Sequence, residues 1–134
     1  MIDYLGMVKE FHTKYNHHTQ ARPIWPPSEV IALRVKLIEE EADEFVDGAI
    51  EGTMADVADA IADILYVAFG AALAFGIPIE EVFTEVHRSN MTKSMLKDEK
   101  SIKGKTIKGP DYSPADVESI IDRHRMLKSS EAAD

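Results

Sequence analysis

The sequence predicts an all-α protein, a bundle of about four to five helices. Three observations carry this. Apolar residues recur three and four positions apart in successive stretches, which places them on one helix face. No stretch alternates with period two for long. The gaps between periodic stretches hold helix-stopping residues: Pro23, Pro26 and Pro27, then Gly52, then Gly76 and Pro78.

The first helix spans residues 2–15, with Ile2, Leu5, Val8, Phe11 and Tyr15 on one side. Residues 16–28 carry three prolines and form an irregular connection. Ser28 is placed to cap the second helix, residues 29–50; Ile31 stands where a capping box would have an acid. Gly52 ends that helix, and Thr53 or Met54 opens a third that reaches Phe75. Gly76 and Pro78 stop it. The fourth covers residues 79–93. Residues 94–113, rich in Lys and Gly, form a loop with room for a short hairpin. Ser113 caps the last helix, with Pro114 at its first position, and this helix runs to Met126. Residues 1–128 read as one domain, and residues 129–134 as a frayed tail.

A chain of 134 residues holds one core. Its 24 acids against 15 bases give a net charge of −9. That argues against a nucleic-acid polymer or an anionic membrane as partner, since both are bound through Lys and Arg. Residues 1–86 hold 16 acids and 5 bases, whereas residues 87–128 hold 6 acids and 10 bases. No cysteine is present, which removes disulfides, thiolate metal sites and Cys nucleophiles, and fits a cytoplasmic setting. The most apolar run, 64–79, contains Gly70, Gly76 and Pro78 and is shorter than a membrane span, so it reads as a buried helix.

The placement of the acids is the informative feature. On the second helix Glu39, Asp43 and Asp47 share a polar face, but Glu41 and Glu44 fall among Val30, Leu33 and Leu37, with Glu40 at the edge. On the third helix Asp56, Asp59 and Asp63 form the only charged stripe of an otherwise apolar helix, which therefore reads as buried all round. Buried carboxylates must protonate, pair with bases or bind a cation. Between residues 29 and 86 only Arg34 and Lys36 are basic. Five carboxylates on adjacent helices, Glu40, Glu41, Glu44, Asp59 and Asp63, instead make an all-oxygen site for Mg²⁺, with Mn²⁺ able to substitute. A di-iron site would need Glu-x-x-His pairs, and His12, His87 and His124 follow Lys9, Thr84 and Ile121 instead.

Carboxylate-bound Mg²⁺ keeps positions open for substrate phosphates. The basic strip supplies a counterpart: Lys93, Lys97, Lys100, Lys103, Lys105 and Lys108, with Arg88 and Asn90 just before it. Gly104 and Gly109 let the backbone approach an anion.

The stretches LIEEEADEF and DAIADILYV resemble the all-α nucleoside triphosphate pyrophosphohydrolases, the MazG-like and phosphoribosyl-ATP pyrophosphohydrolase-like superfamily, whose signature is EExxE followed by ExxD. FHTKY, FGAALAFGI, EVHRSNMTK and GKTIKGPDYSPAD are similar to its small single-domain branch, so the resemblance covers residues 7–123. One position departs from the pattern. Ala60 stands where the family has Glu, and Asp59 or Asp56, four or seven residues before Asp63, would fill the role.

The resemblance implies a MazG-like bundle that associates as a homodimer or homotetramer, with sites near subunit boundaries. It implies hydrolysis of a (d)NTP between the α- and β-phosphates to a monophosphate and pyrophosphate, for cleaning or shaping the nucleotide pool. Glu40, Glu41, Glu44, Asp59 and Asp63 would hold the metal. Glu41 and Glu44 would orient the water or take its proton, and Arg88, Asn90, Lys93, Lys105 and Lys108 would hold phosphate. Two alternatives stand beside this: hydrolysis of phosphoribosyl-ATP in histidine biosynthesis, and a non-catalytic helical partner protein. Trp25, Phe11 and Tyr15 are candidates for a base pocket.

Overall fold

A computed structural model describes residues 1–95 and 104–126. Lys97, Lys100 and Lys103 of the basic strip and the tail at 129–134 lie outside the described residues. Five helices follow in order: α1 (Tyr4–Lys14), α2 (Ser28–Glu51), α3 (Met54–Phe75), α4 (Ile79–Asn90) and α5 (Val117–Arg125).

The α2–α3 hairpin is the frame of the molecule. Only Gly52 and Thr53 separate the two helices, so they run antiparallel along each other. Thr53 is a full cap: its hydroxyl accepts from the Asp56 amide at 3.2 Å, and the Asp56 carboxylate accepts from the Thr53 amide at 2.9 Å. Gly48 lets α2 approach the backbone of Asp56 and Val57; a Cβ there would sit 3.5 Å from both.

α1 packs on α3. Asp3 caps it by accepting from the Gly6 amide at 2.9 Å. The Pro-rich connection then bonds to the C-terminal end of α3, whose last carbonyls have no partner within the helix. The Gln20 amide reaches Leu73 O at 3.0 Å, its side chain reaches Ala74 O at 3.1 Å, and the Ile24 amide reaches Phe75 O at 3.2 Å. Gly76 closes α3 in the left-handed region at φ +69°, where a Cβ would collide with the Arg22 carbonyl.

α4 and α5 are joined by charges. Glu85 accepts from Arg88 at 2.6 and 3.0 Å and from the Asp116 amide at 2.7 Å. Arg88 also donates to Ser113 Oγ at 3.1 Å and Pro114 O at 3.0 Å. Glu81 meets Arg123 and His124.

Several expectations are corrected. Ser28 is the first residue of α2 and makes no cap bond; Pro27 holds the cap position. α4 ends at Asn90, because the Thr92 and Lys93 amides turn to Ser89 O and Asn90 O at 3.0 and 3.1 Å and tighten the chain out of the helix. α5 starts at Val117 under an Asp116 cap, since Ser113 is engaged with Arg88 and, through its amide, with Thr92 Oγ1 at 2.8 Å. The hairpin in the basic loop amounts, among the described residues, to a single bridge between Ser94 and Ile107.

The largest correction concerns burial. Val8, Ala60, Ala72, Leu73, Ala74 and Ile120 make a thin core. α3 is long and apolar enough to cross a membrane by length and composition alone, yet it is not covered all round in the single chain. Ile61 and Leu65 are 46 % and 54 % exposed, and on α2 Val46 and Ile50 are 50 % and 74 % exposed. One chain offers the α2–α3 hairpin too few neighbours to cover both of its sides.

Candidate active site

The antiparallel hairpin brings the two acidic stripes together. Glu41 and Glu44 are one turn apart on α2, and Asp63 comes from the facing turn of α3. One carboxylate oxygen from each lies within 4.8 Å of the others. Three anions at this spacing repel strongly where water is partly excluded.

The titration of these groups reflects that. Burial, a hydrogen bond with Glu44, and the charges of Glu44, Asp63 and Glu40 push Glu41 up to about 6. Asp63 is also raised, by burial and then by Asp59 and Glu44, while its hydrogen bond with Glu41 acts in the opposite sense. In the metal-free chain the cluster therefore keeps a proton on Glu41 up to about pH 6, above the range where a free carboxyl has lost it.

The second oxygen of Glu41 is shielded from solvent and has no hydrogen-bond partner. An orphaned carboxylate oxygen on a side chain clustered with two further carboxylates is a poor protein interior, and the three together are a good ligand set for a hard divalent cation. The residues present fit Mg²⁺ or Mn²⁺.

The other expected ligands stand around this core. Asp59 is exposed and lies close enough to Asp63 to raise its pKa. Glu40 is exposed on the α2 surface and acts on Glu41 through its charge. Asp56 is engaged in the Thr53 cap. Glu44 and Asp59 also line a cleft of about 310 Å³ on the α2–α3 seam, together with Asp47, Glu51 and Asp56. The sequence assigned Asp47 to the solvent face and gave Glu51 no role. Both follow Glu44 at helical spacing, and that periodicity was the available signal.

The expected phosphate-binding residues are not gathered on the acids. Arg88 has its fork on Glu85, which holds Glu85 down to about 2. Asn90 is exposed at the end of α4, and Lys93 is half-buried in the turn after it. Lys105 is exposed, and Lys108 lies 5.2 Å over the Tyr112 ring. Among the described residues none of these makes a hydrogen bond or ion pair with Glu41, Glu44 or Asp63.

Two comparisons bear on this arrangement. An uncharacterized protein, L479, of Acanthamoeba polyphaga mimivirus is 40 % identical over 52 residues, 39 % of this chain and 21 % of that protein. The chain thus spans about a fifth of the length of this curated relative. The family model described as phosphoribosyl-ATP pyrophosphohydrolase matches residues 8–90, more than half of the chain and the whole of the α2–α3 hairpin. An all-α fold with paired acidic helices and a three-carboxylate cluster inside the matched region leaves one assignment: the chain belongs to the phosphoribosyl-ATP pyrophosphohydrolase family, of the MazG-like superfamily.

Proposed function

We propose that the chain hydrolyses the α–β anhydride of a nucleotide triphosphate moiety, releasing a nucleotide monophosphate and pyrophosphate. The observation that carries this is the Glu41–Glu44–Asp63 cluster, with its orphaned oxygen, inside the matched region. Glu41, Glu44 and Asp63 would hold the divalent ion, with Asp59 and Glu40 at the margin. A bound divalent ion neutralises phosphate charge and makes water acidic.

The protein's own groups do the rest. Below about pH 6 Glu41 would have to give up its proton before it could hold the ion. Glu41 and Glu44 orient a water and accept its proton. The water oxygen joins the α-phosphorus, and the bond from that phosphorus to the bridging oxygen breaks. The departing pyrophosphate is met by Asn90, Lys93, Lys105 and Lys108. Arg88 joins them only if it leaves Glu85.

The family description favours phosphoribosyl-ATP as substrate over the free (d)NTP that the sequence resemblance implied. The (d)NTP reading stays as the second, because FHTKY, FGAALAFGI, EVHRSNMTK and GKTIKGPDYSPAD resemble the small single-domain branch. Comparing kcat/KM for phosphoribosyl-ATP with a panel of NTPs and dNTPs decides between them. A preference of 100-fold or more, about 2.7 kcal/mol, names the substrate, and turnover of none of them removes the activity. We further propose that copies of the chain associate as a homodimer or homotetramer through the uncovered apolar faces of α2 and α3, as such faces require in water.

A further inference from the structure

The face of α3 that carries Asp63 continues beyond it. One turn on, Tyr66 lies on the same side of the helix, about 4.5 Å further along the axis. There it meets the C-terminal half of α1. The Phe11 and Tyr66 rings stand edge to face, 5.4 Å apart with planes at 82°. Tyr15 and His17 pack on Phe11 at 4.8 and 5.4 Å. These rings are not core: Phe11 and Tyr66 are each 37 % exposed and Tyr15 is 56 % exposed. With Met7, Glu10 and Lys14, the three tyrosine and phenylalanine rings line an open cleft of about 310 Å³.

The patch is held from behind. Arg34 is 5 % exposed, is not ion-paired to any described carboxylate, and donates from Nη2 to His17 Nδ1 at 3.1 Å. A guanidinium only donates, so His17 accepts at Nδ1 and carries its ring proton on Nε2. His12, 2 % exposed, is kept toward its neutral form by burial and by Arg34. Gly70 makes the room: a Cβ there would lie 2.7 Å from Arg34 Nη1 and 3.1 Å from His12 Nε2. A buried cation that fixes one imidazole beside three aromatic side chains is a rigid mount.

We propose that Phe11, Tyr15 and Tyr66 form the stacking platform for the substrate's nucleobase, with Arg34 as a positioning residue acting through His17. This rests on the pyrophosphohydrolase reading and deepens it. A nucleotide whose α-phosphate is at Asp63 extends its base away by the length of one sugar, a distance on the order of one helical turn. Along α3 that step leads to Tyr66. Every base has a π-face, and aromatic side chains take it irrespective of base identity. Trp25 is set aside: it meets Phe75 edge to face, and Phe75 is twelve residues beyond Asp63 at the far end of α3.

The test pairs a ring deletion with a base deletion. Phe11→Ala and Tyr66→Ala are expected to raise KM for the best triphosphate substrate about 10- to 100-fold, with kcat within about threefold. Tyr66→Phe keeps the ring and should keep the wild-type KM. With ribose 5-triphosphate, which lacks a base, the variants and the wild type should show equal KM, because the contact being deleted is already gone. The same rise on both substrates, or no rise on either, overturns the platform. A second readout does not need turnover: the Phe11 and Tyr66 ring resonances followed against nucleoside 5′-monophosphates. Saturable ring shifts support the platform even if no triphosphate is hydrolysed, in which case the reaction fails and the base site stands. No shifts with monophosphate, or shifts that follow protein concentration alone and so report a second copy on this face, overturn it.

Discussion

Glu41 concentrates the chemistry of the site in one side chain. Burial and then its acidic neighbours push it up to about 6, so between about pH 4.5 and 6 the folded metal-free chain binds a proton that the unfolded chain has lost. By linkage, its contribution favours the folded state at low pH and is lost as pH rises through 6. A bound divalent ion reverses that preference, because the ion competes with the proton. Stabilisation of the chain by Mn²⁺, read as a shift in Tm, should therefore be larger at pH 7.5 than at pH 5. Glu41→Gln should flatten this difference; a Glu41→Gln chain with the wild-type pH dependence would place the proton elsewhere. Substitutions on α2 and α3 should also separate the clustered acids from the outer face. Asp63→Asn is expected to lower metal-dependent turnover by on the order of 100-fold or more while leaving the helical circular dichroism intact. Asp43→Asn, exposed on the outer face of α2, should leave turnover within about twofold. Turnover lost in Asp43→Asn and kept in Asp63→Asn would show that the inward face was misassigned.

The helices show which local signals decide an element and which do not. Periodicity, stops and caps located all five though not all of their ends, and the glycine stop at Gly76 was legible because only a residue without a Cβ fits φ +69° against the Arg22 carbonyl. Gly76→Ala should cost more than about 1 kcal/mol in urea unfolding, the scale of an incompatible Gly replacement. A Gly76→Ala chain as stable as the wild type would contradict that packing. The caps were harder. Ser28 and Ser113 have the right chemistry for N-caps, but Pro27 already holds the cap position of α2, and Ser113 is drawn off by Arg88. The cap that does form its box, Thr53 with Asp56, uses an acid that the sequence offered as a ligand. Its loss in Thr53→Ala should cost about 1 kcal/mol. Arg88 fails as a simple reading for the same reason: local spacing gives its helix, whereas its partners Ser113 and Pro114 lie 25 and 26 residues away.

The whole molecule is where a single sequence says least. The inward acids of α2 and α3 could be recognised because a carboxylate among leucines is anomalous wherever it sits. The aromatic patch could not be told from a core, since Phe11 and Tyr66 share the spacing of core residues and only the packing of α1 shows them open. The apolar faces of the hairpin look buried in the sequence and are bare in one chain. If copies cover them, sedimentation should give a dimer or tetramer, and Leu65→Glu should shift it toward monomer; a wild-type chain that sediments as a monomer at all concentrations would contradict the association. The charge asymmetry between the two parts of the chain also changes meaning at this scale. The acidic excess contains the three-carboxylate cluster, but Arg88, at the start of the basic part, is held by Glu85 of the acidic part.

The central claim is that Glu41, Glu44 and Asp63 together support cleavage at the α-phosphorus. Chromatography of the products from wild type and Glu44→Gln, with and without Mg²⁺, tests it most directly. The account predicts monophosphate and pyrophosphate in equal amounts, only with the metal, and loss of both in Glu44→Gln. Diphosphate with inorganic phosphate, or undiminished turnover in Glu44→Gln, would contradict it.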